Sequence, residues 1–436
     1  MTLARDRIVY QRLTQRDAHI IAAKHEMLFA GRLGGARAVF AFCDLSGVDL
    51  SGRNLADADF TGAVLTEANL AGCKLENAVF FAADLRRADL SECSLRRADI
   101  RGACLRGANL IGADLFEADL REGIIAERDR KGSLKFLRHD VGPSEMPAAL
   151  LVNANLERAK MSGIVAIQAD FTDANMRGCR LVRANLRQVK MSGANLENAD
   201  LSGSDLTGAD LSGAVLTGAK LVMAMVDGAD FTGALTDAPM GKSVTDLGEP
   251  IEDMLARHVR WVETSGAEGT PVMLDGVDLR PVKGLVHLNL TALSANKAVF
   301  YGLDLKGAQL QGAQLQGADL RNTCLAGADL RGANLRDARL GSTDLRDANL
   351  GPLVLHGDRL MPAQLSGANL RYADLRGTDL RHAVMTGVDA AYANFVGANM
   401  RQADFSHAVL TGAQITHSSF RETVFDGATG VKLISR

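Results

Sequence analysis

The chain has 436 residues, and its 49 Lys and Arg nearly balance its 52 Asp and Glu, which gives a formal charge of −3. This balance excludes a strong overall field that would drive binding to nucleic acid or to an anionic membrane. Apolar residues make up 47% of the chain, with 44 Gly but one Trp and four Tyr, a composition that predicts many small stacked units.

The first predicted element is an amphipathic helix in the segment RDAHIIAAKHEMLFAG, with Gly31 as its stop. One face of this helix carries Ile21, His25, Leu28 and Phe29. Residues 1–36 are therefore predicted to form a helical cap. The start of the chain lacks the apolar run of a secretory signal, so we expect a cytoplasmic protein. Charged or polar residues interrupt every apolar stretch, so we expect no membrane insertion.

A five-residue period begins at Phe40 and continues to Leu120. A large apolar residue recurs at every fifth position, a small residue (usually Ala) stands two positions earlier, and Asp or Asn lies between them. A second run keeps the same period from Leu156 to Phe231, with Ala166 as its one soft spot. A period of five fits neither a helix nor a single strand.

The pattern has a simple physical interpretation as short extended segments joined by corners. The small residue and the large apolar residue two positions later lie on one side of such a segment. Gly tolerates positive φ at a corner, and Asp or Asn can bond neighbouring backbone groups. Because one unit buries too little surface, the units must stack. Residues 37–236 are therefore predicted to form an all-β solenoid.

Two stretches break the period. Residues 121–150, REGIIAERDRKGSLKFLRHDVGPSEMPAAL, are predicted to form a charged β-hairpin around DRKG that is extruded from the stack. The second break, residues 237–283, contains a predicted helix, with Gly266 as a plausible stop. One face of that helix carries Ile251, Met254, Leu255, His258, Val259 and Val262.

The two predicted helices suggest an internal duplication. Ala23-Lys24-His25 and Ala256-Arg257-His258 each precede Gly-rich residues and then an Asp-Leu unit about twenty residues later, at Asp44 and Asp278. We expect each helix to cap the stack that follows it, because an uncovered solenoid end exposes backbone groups and core.

Residues 284–436 are predicted to form the second solenoid. They contain the third run of the period, from Phe300 to Phe425, in which only Ala390 is small at the position of the large apolar residue. No predicted helix follows to cover the last coil. Either the remaining tail folds over this end or two copies of the chain pair there as a homodimer.

Stretches such as ADLRGANL at 328–335 and GANLRYADL at 367–375 closely resemble the pentapeptide-repeat family, whose units read A-(D/N)-L-x-x. The resemblance implies a right-handed quadrilateral β-helix with four units per coil, here in two stacks with short capping helices. The family also offers C-terminal dimers as a precedent.

No catalytic, cofactor or metal site emerges from the sequence. Cys73 and Cys93 are interpreted as reduced, buried thiols, because stacked side chains fit disulfide geometry poorly. Lys242 follows a Gly, but the first Gly of a phosphate loop is missing. His25 and His258 are expected to pack on helix faces. The Asp array is expected to bond local backbone rather than to act as paired acid and base.

Arginine placement supplies the surface candidates. Arg381, Arg401 and Arg421 recur every twenty residues, which predicts a vertical ladder, with Arg321 further along it. Arg86 with Arg106 and Arg101 with Arg121 are predicted to form shorter ladders. Such ladders are tolerable if carboxylates interleave or if an acidic partner binds. The full set of partner-binding candidates is Arg381, Arg401, Arg421, Arg86, Arg106, Arg128, Arg130 and Lys131.

Together these features predict a non-enzymatic scaffold that presents flat faces and the 121–150 hairpin to a protein partner. We expect no cofactor and no direct nucleic-acid binding. The alternative is a DNA-mimicking modulator of a type II topoisomerase, like the quinolone-resistance members of the family. An uninterrupted negative stripe along one face would favour that alternative, and mixed faces favour the scaffold.

Overall fold

The computed structural model describes residues 10–122, 126–128, 134–136 and 144–430. Contacts divide the chain into two compact units, Met1–Ala238 and Pro239–Arg436. Each unit contains its own hydrophobic core.

The regular parts of both units repeat one five-residue geometry. In Ala83-Asp84-Leu85-Arg86-Arg87 we call these positions the small, face, central, first-turn and second-turn residues. Ala83 and Leu85 are buried, and Asp84 makes a single β-bridge. The next unit begins with Ala88, whose N–H donates to the Leu85 carbonyl at 3.1 Å and closes the turn. Arg87 has φ +56°, the left-handed conformation that the third residue of such a turn requires.

Coils stack through parallel bridges between face residues twenty positions apart, such as Asp84 with Cys104. The Leu85 N–H donates to the Cys104 carbonyl at 2.8 Å, so the backbone is satisfied between coils rather than within one strand. Twenty residues are four units. Each coil of these regular stretches therefore contains four units, which agrees with the stacked short extended segments predicted from the sequence.

Identical central residues stack inside the solenoid. Phe40, Phe60 and Phe80 form a column with ring centroids 4.9 and 4.6 Å apart, and all three side chains are fully buried. Apolar burial of this kind, repeated in every coil, is the main stabilising term.

The first unit begins with strand β1, Gln11–Arg12, and helix α1, Gln15–Phe29. Thr14 and Asp17 form a capping box at the helix start. Strand β1 pairs in parallel with β2, Cys43–Asp44. Buried α1 residues belong to the same core cluster as the first coil, so α1 covers its apolar end.

The second unit opens in the same way. Strand β5, Lys242–Ser243, pairs in parallel with β6, Val277–Asp278, and a 3-10 turn at Val244–Asp246 leads to helix α2, Ile251–Glu263. The buried residues of α2 are Ile251, Leu255 and His258. Strand, capping box, helix and first coil thus occur twice in the chain.

The first interruption contains an antiparallel pair, β3 (Ala126–Arg128) and β4 (Leu134–Phe136), in the register Ala126 with Phe136. The stack continues around this insertion, because Cys104 bridges Glu145 and the Gly102 N–H donates to Ser144 Oγ at 3.0 Å. The DRKG turn itself, residues 129–132, lies outside the described residues.

A second insertion contradicts the expectation that the third run is regular from Phe300 to Phe425. Asn334 bridges Gln364, ten residues beyond the usual interval, and the extra chain forms antiparallel strands β7, Leu353–Val354, and β8, Leu360–Met361. Leu360, which the regular period would place at a buried central position, is 49% exposed. Because ten is a multiple of five, the insertion preserves the period and escapes a search for it.

Candidate interaction surfaces

The structure places the predicted arginines at first-turn positions, at the edges of the faces. Arg87 N–H donates to the Arg106 carbonyl at 3.1 Å, so Arg86 and Arg106 lie on adjacent coils. His382 N–H donates to Arg401 O, and Gln402 N–H to Arg421 O, both at 3.1 Å. Arg381, Arg401 and Arg421 therefore form one column.

Arg321 does not belong to that column, contrary to the expectation. Asn322 N–H donates to the Gly341 carbonyl, and Ser342 N–H donates to the Arg371 carbonyl. The insertion at β7–β8 shifts the later coils by two units, so Arg321 and Arg381 lie on different faces. Arg331 takes the place that the twenty-residue count assigned to Arg321.

The remaining candidates lie on the hairpin. Arg128 ends strand β3, whereas Arg130 and Lys131 lie outside the described residues. Their role in partner binding stays a prediction.

Most first-turn arginines are held by the face aspartate of their own unit. Arg381 donates from Nε to both Asp379 oxygens at 3.0 Å and from Nη2 to Oδ2 at 2.7 Å. The same carboxylate accepts the Arg381 backbone N–H at 3.1 Å. The pairs of this kind are Asp84–Arg86, Asp99–Arg101, Asp119–Arg121, Asp278–Arg280, Asp319–Arg321, Asp329–Arg331, Asp344–Arg346, Asp374–Arg376 and Asp379–Arg381.

Each such Asp–Arg pair fixes the backbone of a corner and also neutralises the charge of the arginine. Hydrogen bonding from the Arg346 side chain holds the pKa of Asp344 below its usual range, with burial opposing. Two parallel N–H donors matched to two carboxylate oxygens form the strong geometry for this pair. The Asp-Leu-Arg triplet is therefore an internally balanced corner.

Several first-turn arginines whose own face residue is not acidic contact a carboxylate of the next coil instead. Arg96 Nη1 contacts Asp114 at 2.8 Å and Arg371 Nη1 contacts Asp389 at 3.0 Å, each 18 residues later. Arg106 likewise contacts Glu145 at 3.4 Å across the first insertion. The interleaved carboxylates explain how the Arg86–Arg106 ladder is tolerated.

A shallow groove of about 590 Å³ lies beside the first insertion. Its lining carries both charges: the basic residues Arg97, Arg101, Arg158 and Lys160 and the acidic residues Asp99, Glu117 and Asp119. Sequence reasoning missed this groove. Arg158 and Lys160 follow the insertion, so their neighbours on the preceding coil are not the residues twenty positions earlier.

The buried nucleophilic and titratable groups are structural. The Cys73 and Cys93 thiols donate to the Leu50 and Leu70 carbonyls at 3.0 and 2.9 Å, and both cysteines are free. Burial raises the pKa of Cys73 to about 11, so it is protonated at neutral pH. Among the described residues no group of His, Cys, Asp and Glu has the geometry of a metal site.

His25 joins α1 to the first coil. Ala38 N–H donates to His25 Nδ1 at 3.0 Å, which leaves the proton on Nε2, 2.8 Å from the Ala56 carbonyl. His258 takes the same place in the second unit, where Val272 N–H donates to its Nδ1 at 3.1 Å. Both side chains pack on helix faces as expected.

The last described coil is less well covered than those before it. Phe420 and Val424 are each 41% exposed, and Phe425 is partly buried, whereas Phe405 one coil earlier is fully buried. An apolar surface therefore faces outward at the end of the described chain.

No helix in the described ranges combines the length and the apolar character that crossing a membrane requires.

Comparison with known proteins finds the pentapeptide-repeat family and solved structures that bear its name. The family model matches eight copies, at residues 43–80, 83–122, 149–188, 194–233, 285–322, 313–351, 363–402 and 392–427. No curated protein sequence matches the chain.

Three of the similar solved structures are pentapeptide-repeat or fluoroquinolone-resistance proteins. HetL from the cyanobacterium Nostoc, involved in heterocyst differentiation regulation, is 23% identical over 77% of this chain and 88% of its own, with a TM-score of 0.23. Rfr23 from Cyanothece is 29% identical over 32% and 91%, with a TM-score of 0.23. QnrB1, a plasmid-mediated fluoroquinolone resistance protein, is 20% identical over 44% and 85%, with a TM-score of 0.23.

The eight matched segments span more than half of the sequence and lie in both compact units. The chain is a member of the pentapeptide-repeat family.

Proposed function

We propose that this chain is a non-enzymatic scaffold: two right-handed quadrilateral β-helices, each with a capping helix, that present their outer faces and the 121–150 hairpin to a protein partner. The supporting observation is the filled interior. The small and central side chains of the regular coils are almost all buried in two hydrophobic cores. The outer walls and the insertions are then the surfaces that other molecules reach.

The charge pattern of the faces favours a scaffold over a DNA mimic. The most acidic column of face residues in the first unit includes Asp49, Asp89, Asp170 and Asp210. That column is interrupted by Asn69, Asn109, Leu150 and Lys190. A DNA-like surface would need a regular negative array, whereas mixed faces suit ordinary protein contacts.

The 121–150 hairpin is the most specific part of this proposal, and the structure supplies a clean deletion to test it. Removing residues 123–143 joins Glu122 to Ser144, which already serves as the small residue of the next unit. The deletion therefore keeps the five-residue register, and we expect the coils to remain folded.

Affinity capture followed by crosslinking should compare the full chain with this deletion. The matched control removes the second insertion, residues 353–362, and replaces Pro352 with Gly. We expect at least one partner to be lost with residues 123–143 and retained in the control. Identical recovery by all three chains would contradict the role of the hairpin, and failure of every chain to retain a saturable partner would contradict the scaffold.

We also propose that two copies pair through the C-terminal coil. The exposed Phe420 and Val424 support this, since a solenoid end with apolar side chains favours coverage. Light scattering of the wild type and of Phe420→Glu measures it: we expect a dimer that the substitution converts to a monomer.

A further inference from the structure

First-turn arginines in this chain have two places to find a carboxylate. One is the face residue of their own unit, two positions earlier, and the other is the face residue of the next coil, 18 positions later. Arg381 uses the first place and Arg371 the second. Among the described coils, Arg177, Arg336 and Arg401 have a neutral residue at both places.

Arg401 is the one of these three for which the described residues give no side-chain partner, because Arg177 Nε lies 3.7 Å from Glu197 and Arg336 donates to Gln364 Oε1 at 2.7 Å. Its own face residue is Asn399, and the face residue 18 positions later is Ser419. Neither Asn399 nor Ser419 carries a charge. Asn399 Oδ1 accepts only the Arg401 backbone N–H, with an N···O distance of 3.5 Å. The Arg401 side chain is exposed. Asp occupies the corresponding place one coil earlier, at Asp379, so the acid is missing where the column reaches the last two coils.

Arg421, stacked on Arg401, is in a similar position. Its own face residue is also Ser419, and it lies on the last described coil. Its guanidinium contacts Glu422 at 3.2 Å, with the Arg421 side chain 83% exposed. Glu422 also accepts a hydrogen bond from Gln402 at 2.8 Å. An ion pair this exposed contributes little, so Arg421 keeps most of its capacity for another anion.

The two guanidinium groups belong to neighbouring coils, which are about 4.8 Å apart. Like charges at this spacing repel, and a carboxylate placed between them would relieve the repulsion and accept two or more charge-assisted hydrogen bonds. Within the regular coils the chain supplies such a carboxylate to Arg331 and Arg381 on the same column.

We propose that Arg401 and Arg421 form the docking point for an acidic segment of a protein partner, an inference that rests on the proposed scaffold function. A nucleic acid fits less well. Phosphate-backbone binding draws on many cations along a surface, and the arginines lower on this column, Arg331 and Arg381, are already neutralised. Arg401, with no side-chain partner among the described residues, and Arg421, in an exposed ion pair with Glu422, match one or two carboxylates instead.

The test titrates the purified full chain with a fluorescent octaglutamate peptide at low ionic strength. Two doubly substituted chains are compared. Arg401→Gln with Arg421→Gln removes the proposed site. Arg346→Gln with Arg376→Gln removes two stacked, clamped first-turn arginines from another column and changes the net charge equally. We expect the first pair to weaken peptide binding at least fivefold and the second pair less than twofold.

A third chain keeps both arginines and restores the acid. Asn399→Asp with Ser419→Asp places carboxylates where clamped units have them, so we expect the same loss of at least fivefold. Equal losses from both arginine pairs would show that only net charge matters and would overturn the proposal, as would unchanged binding in the restored-acid chain. Tighter binding of a 12-base-pair DNA duplex than of the peptide, lost with Arg401 and Arg421, would overturn the choice of a protein partner. Because no natural partner is used, failure here leaves the capture test of the scaffold standing.

Discussion

An aspartate two residues before an arginine fixes both the backbone and the charge of one corner. Asp99 Oδ1 accepts the Arg101 backbone N–H at 3.2 Å and its Nε–H at 2.8 Å. The sequence predicted the backbone bond, because Asp and Asn favour such turns. It did not predict the arginine clamp, because an aspartate and an arginine two positions apart in an ordinary loop do not have to form an ion pair. The repeated turn of this chain brings the two side chains together.

Non-glycine residues at positive φ are the second feature that the repeat enforces at the residue scale. Arg87, Arg97 and Glu117 all have φ between +55° and +58°. The sequence analysis noted that Gly suits such a corner, and Gly does occupy the same position at Gly107 and Gly112. The strain of a side chain in this conformation is tolerated because hydrogen bonds to the neighbouring coils fix the turn.

Replacing His25 with Ala should destabilise the first unit by about 1–3 kcal/mol, because a buried N–H and a buried carbonyl lose their partner together. Urea unfolding of the wild type and the variant measures this, with His356→Ala, an exposed residue of the second insertion, as the control. We expect no change in the control.

The same residue predicts a dependence on pH. Burial lowers the pKa of His25 in the folded chain, so below about pH 6.5 the unfolded chain takes up the proton first. The wild type should therefore lose stability as the pH falls from 7 to 5, and His25→Ala should lose less. A variant with the wild-type stability and pH profile would contradict the role given to His25.

At the scale of elements, the sequence predicted both helices and the first hairpin but missed the second insertion. A search by period cannot find an insertion of two whole units. A signal was nevertheless present in Pro352, which the regular register places at a second-turn position. Every regular second-turn residue has positive φ, as at Gly332, whereas proline is fixed near −65°. A regular corner is therefore impossible there.

The fixed φ of proline predicts different stabilities for two deletions. Removing residues 353–362 joins residue 352 to Ala363 and restores the register, but with Pro352 retained the corner cannot close. We expect that chain to be less stable by about 1–3 kcal/mol than the same deletion with Pro352→Gly. Urea unfolding midpoints compare the two. Equal stabilities would show that proline is not the reason the chain leaves the stack at this point.

At the scale of the whole molecule, the duplicated β-strand, capping box and helix set the organisation. The sequence revealed the duplication through His25 and His258, which have matching hydrogen bonds to backbone N–H groups at Ala38 and Val272. The parallel pairing of β1 with β2 and of β5 with β6 could not be predicted. A two-residue strand is too short to show a hydrophobic pattern in the sequence. It forms only where the first coil has backbone N–H and C=O groups free to pair with it.

Two caps and two cores imply that each unit folds alone. We expect residues 1–238 and 239–436, expressed separately, each to unfold cooperatively in urea, because each retains its helix, its first coil and its hydrophobic cluster. A cut after residue 180 is the control: it divides a coil and exposes core on both fragments, so at least one fragment should aggregate or lose cooperativity. Circular dichroism and light scattering follow both properties. An unfolded fragment 239–436, with the full chain still folded, would show that α2 is not sufficient to cap the second solenoid. The duplicated strand, capping box and helix would then not give the second unit a stability of its own.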